Sequence, residues 1–302
     1  MLSSFIGGRR RVEITVRQAT VADERRVLRL IRDVRRVCLH FKVGELRGRL
    51  EAEPFLVAYA GGRLVGFMFW DLHCSNLACL RGAGLADRWS VSEYLRVLLP
   101  PSLESLRTQG ATTLAYVGGD DWLIGPLQEH GFVVDNIILA YQKTGWAVPS
   151  WGSQEVLVRP AQPDDFPALV ALDQTAFEPL WRNTTADFHD VLASYPHFVV
   201  AELDGVVVGY EFSRLVGNQG YLARLAVHPD YQRRGIGTRL LAEAIAFFKR
   251  EGVRATILNT QQDNQVSQRL YRWFGFELVG EEAVVLKLNI APSSLKFPQV
   301  PG

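Results

Sequence analysis

The chain is poor in sulfur: its 302 residues include three cysteines, Cys38, Cys74 and Cys79, and two methionines. An odd cysteine count without a secretory segment argues against a disulfide framework and for reduced thiols, so a cytoplasmic protein is expected. Residues 1–11 carry their arginines after a short apolar patch, the reverse of a signal peptide. Neither sign of charge is in excess: 33 Lys and Arg face 32 Asp and Glu, a formal net charge of +1, which gives no basis for a nucleic-acid surface. No apolar run approaches bilayer-spanning length, so no membrane partner is expected. His73, Cys74 and Cys79 match no zinc spacing, and no metal is expected.

What the chain does have is apolar residues, 48% of the total, enough for the cores of one large or two medium domains. Arginines from Arg25 to Arg36 interleave with Val27, Leu28, Leu30, Ile31 and Val34, the pattern of an amphipathic helix with a solvated or partner-binding face. Residues 225–238 read Leu-Ala-Val-His-Pro-Asp-Tyr-Gln-Arg-Arg-Gly-Ile-Gly-Thr. The strand stops at His228-Pro229, and Leu240, Leu241, Ala244, Ile245 and Phe248 then repeat at helical spacing. Between them Gly235 and Gly237 leave no Cβ in the way, so the backbone amides of Arg233 to Thr238 can turn onto a diphosphate at a helix N-terminus. Arg81, Gly84 and Ala86 fit the same short Gln/Arg-x-x-Gly-x-Gly/Ala pattern, but no strand end precedes them and no apolar helix follows directly, so that match is read as chance.

Sliding the chain against itself reveals a duplication. Val16-Arg17-x-Ala19 with Asp23 matches Val158-Arg159-x-Ala161 with Asp165 at an offset of 142. Val57-Ala58 and Gly62 to Gly66 match Val200-Ala201 and Gly205 to Gly209 at 143, and Gly131-Phe132 matches Gly275-Phe276 at 144. A slowly drifting offset indicates two copies of one fold with small indels. The expected organisation is a first copy over residues 1–145, a linker over 146–156, a second copy over 157–290 and a tail over 291–302. Counting back 143 puts Ser92 and Tyr94 opposite the two loop glycines, so the first copy lacks the cradle. It is either a structural half or a retained acyl-CoA or effector site.

Strand, Gln-x-x-Gly-x-Gly loop, helix, strand, Asn264, then Leu270-Tyr271 and Gly275-Phe276 together resemble the GCN5-related N-acetyltransferase (GNAT) superfamily over about residues 157 to 288. The resemblance implies an α+β fold: two tandem domains, the first degenerate, each a mostly antiparallel mixed sheet flanked by helices. It implies an acetyl-CoA-dependent N-acetyltransferase acting by direct attack of a primary amine, on a small-molecule or peptide acceptor. By the same resemblance, Arg233, Arg234, Gly235, Ile236, Gly237 and Thr238 hold the coenzyme diphosphate. Leu225, Ala226 and Val227 form the strand that pairs with the pantetheine arm, and Asn264 contacts the coenzyme or caps its helix.

Tyr271 is the expected general acid, since a phenol with pKa ~10 is protonated at neutral pH and can donate to a departing thiolate; its competing role is a core aromatic. Relatives place a base at positions that here are Tyr221 and Asn259, neither of them a carboxylate. Glu211 is the nearest acidic candidate. Phe177, Trp181 and Tyr221 are expected to line the acceptor pocket, with the aromatics and Glu178 able to receive a cationic amine or simply to pack on the core. A non-catalytic acyl-CoA-binding regulator and a mycothiol-synthase-like tandem enzyme are the alternative functions.

Overall fold

A computed structural model describes residues 13–52, 54–74 and 76–290; the opening stretch and the expected tail at 291–302 lie outside these. The first half runs β1 (Ile14–Gln18), α1 (Glu24–Asp33), β2 (Arg36–Leu39), α2 (Leu46–Arg49), β3 (Phe55–Ala60), β4 (Arg63–Cys74), β5 (Leu77–Leu85), α3 (Val91–Thr108), β6 (Thr113–Gly118), α4 (Asp121–Glu129) and β7 (Val133–Lys143). The second runs β8 (Leu157–Pro160), α5 (Phe166–Ala176), α6 (Thr185–Ser194), β9 (His197–Leu203), β10 (Val206–Val216), β11 (Gln219–Val227), α7 (Ile236–Arg250), β12 (Ala255–Gln261), α8 (Gln265–Trp273) and β13 (Glu277–Asn289).

Contacts divide the chain into one unit drawn from Met1–Asp135 with Val284–Gly302 and a second from Asn136–Ala283. This differs from a cut at the 146–156 linker, and strand pairing gives the reason. In the first unit β6 pairs with the Val284–Asn289 part of β13, while in the second β12 pairs with the Ile138–Lys143 part of β7. The last strand of each repeat thus completes the sheet of the other.

Each unit is an α+β layer on a mixed sheet with one parallel pair, β5·β6 in the first and β11·β12 in the second. The repeat is visible in the registers. A bulge at Ala58/Tyr59 in the β3·β4 pair has its counterpart between Val207 and Gly209 in the β9·β10 pair. In the β4·β5 pair Arg81 is skipped, and in the β10·β11 pair Ala223 is skipped. The duplicated Arg and Asp of the sequence form one device twice. Arg17 grips Asp23 through two bonds of 2.7 Å, and Arg159 grips Asp165 through two of 2.8 Å. Each aspartate also accepts the backbone N–H three residues before it, which fixes the entry to the first helix.

In the first unit α1 buries Val27 and Leu30 against Phe55, Phe67 and Phe69, and its arginines at 25, 26, 29 and 32 are exposed. The opposite face packs α3 and α4 around Trp70 and Tyr116. In the second unit α5 and α6 bury Phe166 and Phe188 against Tyr210 and Phe212. On the other face α7 buries Leu240, Leu241, Ala244, Ile245 and Phe248, the residues its sequence periodicity picked out. Among the described residues no helix is long and apolar enough to cross a membrane, and no group of three or more His, Cys, Asp or Glu side chains could hold a metal.

Candidate active site

The second unit contains a slot that the backbone leaves open. β11 and β12 run parallel and paired from Gln219↔Ala255 to Leu222↔Leu258, where the ladder ends. Beyond that point β11 follows β10, with Tyr210 opposite Ala226, while Asn259 to Gln261 of β12 pair with β7. The two strands therefore part like the arms of a V. His228 N–H donates to Val208 O of β10 at 2.9 Å, so by strand alternation the backbone of Ala226 also faces β10 and that of Leu225 and Val227 faces the V. Among the described residues no strand pairs with that edge, and Val227 O accepts only the Gln232 side chain, at 3.2 Å. A row of amides at strand spacing on an unpaired edge can accept an extended ligand as an added strand.

At the outer end of this edge stands the glycine loop. Arg233 has φ +61° and Gly235, the residue before α7, has φ +78° and ψ +7°. Two left-handed residues with one between them bend the loop back on itself ahead of the helix N-terminus. Ile236 is buried with Val208 and Leu240, so it offers the cradle only its backbone, and Arg233 and Arg234 are exposed, Arg234 over the Tyr231 ring at 5.2 Å. A Cβ added at Gly237 would sit at ordinary contact, 3.7 Å from Leu225, Val227 and Leu270.

The linker is part of this loop, which the sequence did not suggest. Ser153 N–H donates to Gly235 O at 3.1 Å, and Gly152 (φ +67°) lies so close that a Cβ there would come within 2.4 Å of Gly235 O and 2.5 Å of Arg239 N. Gly152 is thus required both by its backbone conformation and by the approach of two main chains.

Tyr271 is 5% exposed, with its ring 6.3 Å from Tyr141 and 6.0 Å from Phe276. Burial pushes its pKa up to about 12 against a lowering contribution from the Ser267 hydrogen bond, so the phenol holds its proton at neutral pH. Asn264 caps α8, its side-chain oxygen accepting from Ser267 N–H at 3.1 Å.

Glu211 does not fit the role of base. It lies fully buried on the side of β10 away from Tyr210 and Phe212, bonded by the Ser213 hydroxyl and 3.3 Å from His197 Nε2. Burial raises the Glu211 pKa well above the carboxylate range, and burial with Arg250 nearby lowers His197 to about 4. Burial thus disfavours the charge on both partners, and a fully buried carboxyl is out of reach of an incoming amine. The His197 ring stacks on Phe247 of α7 at 4.5 Å. Alternation on β10 turned the candidate toward the wrong layer.

The segment from Phe177 to Asn183 is organised by a hub that sequence reading missed. Asp173 of α5, fully buried, accepts Arg224 Nη2 at 2.7 Å, Asn183 N–H at 2.5 Å and the Tyr210 hydroxyl. Arg224 Nη2 also donates to Trp181 O, and its guanidinium lies 3.6 Å from the centre of the Phe177 ring. That face of Phe177 is already taken by a cation of the protein and is not free to receive an ammonium group. Tyr221 has the Arg214 guanidinium over its ring at 5.0 Å, and its hydroxyl accepts from Asn259 Nδ2 at 2.6 Å.

Residues 162–276 match the acetyltransferase (GNAT) family. The matched segment, within the second repeat, is a GNAT-family domain. The chain is 41% identical over 100 residues to the N-alpha-acetyltransferase RimI of Mycobacterium tuberculosis, covering 32% of this chain and 61% of that one. It is 29% identical over 112 residues to the ribosomal protein bS18-alanine N-acetyltransferase of Escherichia coli K12, covering 37% of this chain and 74% of that one. Among solved structures, a tandem GNAT protein from the clavulanic acid biosynthesis pathway shares the fold over 93% of this chain and 100% of its own, with TM-score 0.63 and 17% identity.

The first GNAT-like unit has the same V in its backbone and fills it with its own chain. Ala86 N–H donates to Val65 O of β4 at 2.8 Å, as His228 does to Val208, so Ala83 and Leu85 face away from β4. On that edge β2 is paired, Cys38 opposite Ala83 and Arg36 opposite Leu85, and His40 N–H continues to Arg81 O. The connection from strand to helix is also shorter, residues 86–90 against 228–235, so the residue preceding α3 is Ser90 where Gly235 precedes α7. This corrects the count that set Ser92 and Tyr94 against the glycines: Tyr94 turns into the core and its hydroxyl donates to Phe67 O at 2.7 Å. Arg81, Gly84 and Ala86 lie along β5 and just past its end, not at a helix N-terminus, in keeping with a chance match.

Proposed function

We propose that the second unit transfers an acetyl group from acetyl-CoA to a primary amine, and that the acceptor is the α-amino group of a peptide. The observation that carries this reading is the unpaired Leu225 and Val227 edge leading to the glycine loop at Gly235. It fits a ligand with an extended amide-bearing arm and a diphosphate, which is the chemistry of coenzyme A. The backbone of Arg233 to Thr238 would hold the diphosphate and the two strand amides the arm, with Asn264 beside them. Bound there, the coenzyme supplies the acetyl group as an activated thioester.

The amine nitrogen forms a bond to the carbonyl carbon as the carbon–sulfur bond breaks. Tyr271 supplies the proton that the sulfur takes up, its phenol being protonated throughout the neutral range. Phe177 and Trp181, set by Asp173 and Arg224, wall the approach of the amine. Two relatives named for acetylation of alanine or α-amino groups support the α-amine class. So does elementary acidity: an α-amine of pKa ~8 is neutral roughly one time in ten at pH 7, a lysine amine of pKa ~10.4 about once in 2,500.

Calorimetric titration with acetyl-CoA, followed by thiol release in the presence of a free alanine-initiated peptide, tests this reading. An N-terminally blocked peptide containing lysine serves as comparison. Turnover of the alanine peptide alone is expected. Tight binding with no thiol release from either peptide would make the chain an acyl-CoA-binding regulator instead.

A further inference from the structure

The proposed reaction leaves one proton without a destination: the one lost by the attacking amine. Glu211 is fully buried, where burial disfavours its charged form, and neither Tyr221 nor Asn259 carries a carboxylate. A carboxylate nevertheless stands beside them, and it comes from the last strand. Asn259 Nδ2 donates at 2.7 Å to Glu282 Oε2 of β13 and at 2.6 Å to the Tyr221 hydroxyl, so both amide hydrogens are committed and the Glu282 carboxylate is held as an acceptor. Glu282 itself is exposed, open to amine, water and bulk solvent.

Its place in the fold is specific. Asn259 is the first residue of β12 past the final Leu222↔Leu258 pair, and Tyr221 lies in the pair before it, so the cluster stands at the apex of the V. A coenzyme anchored at Gly235 and paired along Val227 and Leu225 runs toward that apex, and its reacting end arrives there. Arg214, over Tyr221, also lies over the Tyr195 ring at 5.9 Å, and Tyr195 packs with the α5–α6 layer that carries the Phe177–Asn183 segment. Tyr271 packs instead with α7. The acidic cluster and the tyrosine acid therefore belong to opposite layers of the sheet.

We propose that Glu282 is a catalytic residue of the acetyl transfer: its carboxylate takes the proton from the attacking amine, directly or across one water, as the nitrogen–carbon bond forms. The proposal rests on the acetyltransferase reading above. The charge balance is complete, because the carboxylate gains the amine proton while the sulfur takes one from Tyr271. Around the cluster β10 presents Arg214, the end of α6 presents Tyr195, and β7 presents the apolar Ala140 opposite Asn259. Tyr221 is held protonated, burial pushing it up to about 12.

The test is Glu282→Gln, whose amide oxygen can still accept from Asn259, assayed with acetyl-CoA and the alanine-initiated peptide across pH. We expect kcat/KM to fall about 10²–10³-fold with coenzyme affinity unchanged, and the acidic limb of its pH profile to be reduced to the ionisation of the amine itself. Glu282→Asp should recover part of both. A Glu282→Gln enzyme that loses less than about threefold, with a pH profile superimposable on the wild type, would reduce Glu282 to a hydrogen-bond anchor for Asn259 and overturn the assignment. Wild-type protein that turns over no amine would overturn the acetyltransferase reading and this proposal with it.

Discussion

Cys38 is paired with Ala83 on the β5 edge whose counterpart in the second unit, at Leu225 on β11, has no strand beside it among the described residues. A parallel ladder that opens partway is common to both units; what differs is whether the chain itself occupies the opening. The first unit fills its slot with β2 and reaches α3 through a shorter connection, so this β5 edge is not open to an added strand.

Hydrogen exchange separates the two slots in the wild-type protein. The amides of Leu225 and Val227 should exchange fast in the free protein and slow on addition of acetyl-CoA. Those of Ala83 and Leu85 should be slow throughout, and calorimetry should give one coenzyme per chain. Coenzyme-induced protection at Ala83 and Leu85, or a stoichiometry of two, would refute the assignment of the first slot to β2.

Tyr271→Phe keeps the ring in its contacts with Tyr141 and Phe276 and removes only the hydroxyl. The expected result is a drop in kcat of about 10- to 10³-fold with coenzyme affinity nearly unchanged, because the lost interaction belongs to the transition state. The tyrosine pKa is raised on folding, so its protonated form is the favoured one. Its contribution to stability is complete below the unfolded value near 10 and is lost as pH rises through about 12. Stability measured between those limits should therefore decline less in the phenylalanine variant. An unaltered kcat would make Tyr271 a packing residue.

Gly152→Ala probes the linker's hold on the loop. Gly205 shares the left-handed φ, at +79°, but a Cβ added there would meet nothing within 4 Å, so Gly205→Ala measures the conformational cost by itself, about 1 kcal/mol. Gly152→Ala adds a collision with the main chain of Gly235 and Arg239 and should weaken acetyl-CoA binding at least tenfold, while Gly205→Ala leaves binding unchanged. Equal affinities in the two variants would detach the linker from the cradle.

Asp173→Asn tests the hub beneath the acceptor wall. Arg224 is 14% exposed and Asp173 fully buried, so neutralising one partner should cost about 3–5 kcal/mol in denaturant unfolding. With the Phe177–Asn183 segment loosened, KM for the amine should rise while coenzyme affinity holds. A variant with wild-type KM would confine the hub to stability.

The sequence alone determined whatever depends on neighbours along the chain. The run from Leu225 to Thr238 specified strand, loop and helix, because a proline, two glycines and an apolar repeat act within a few residues. The paired Arg17–Asp23 and Arg159–Asp165 motifs and the drifting offset revealed the duplication for the same reason. Tertiary structure decided what depends on partners distant in sequence. β2 closes the first slot through hydrogen bonds that any extended backbone could make, so its residues carry no signature. The direction of Glu211 followed from strand alternation against α7, and the exchange of β7 and β13 from which sheet edge each strand met. Glu282, 23 residues beyond Asn259, reached the apex only because β13 returns past it, a juxtaposition made by the fold and invisible to spacing.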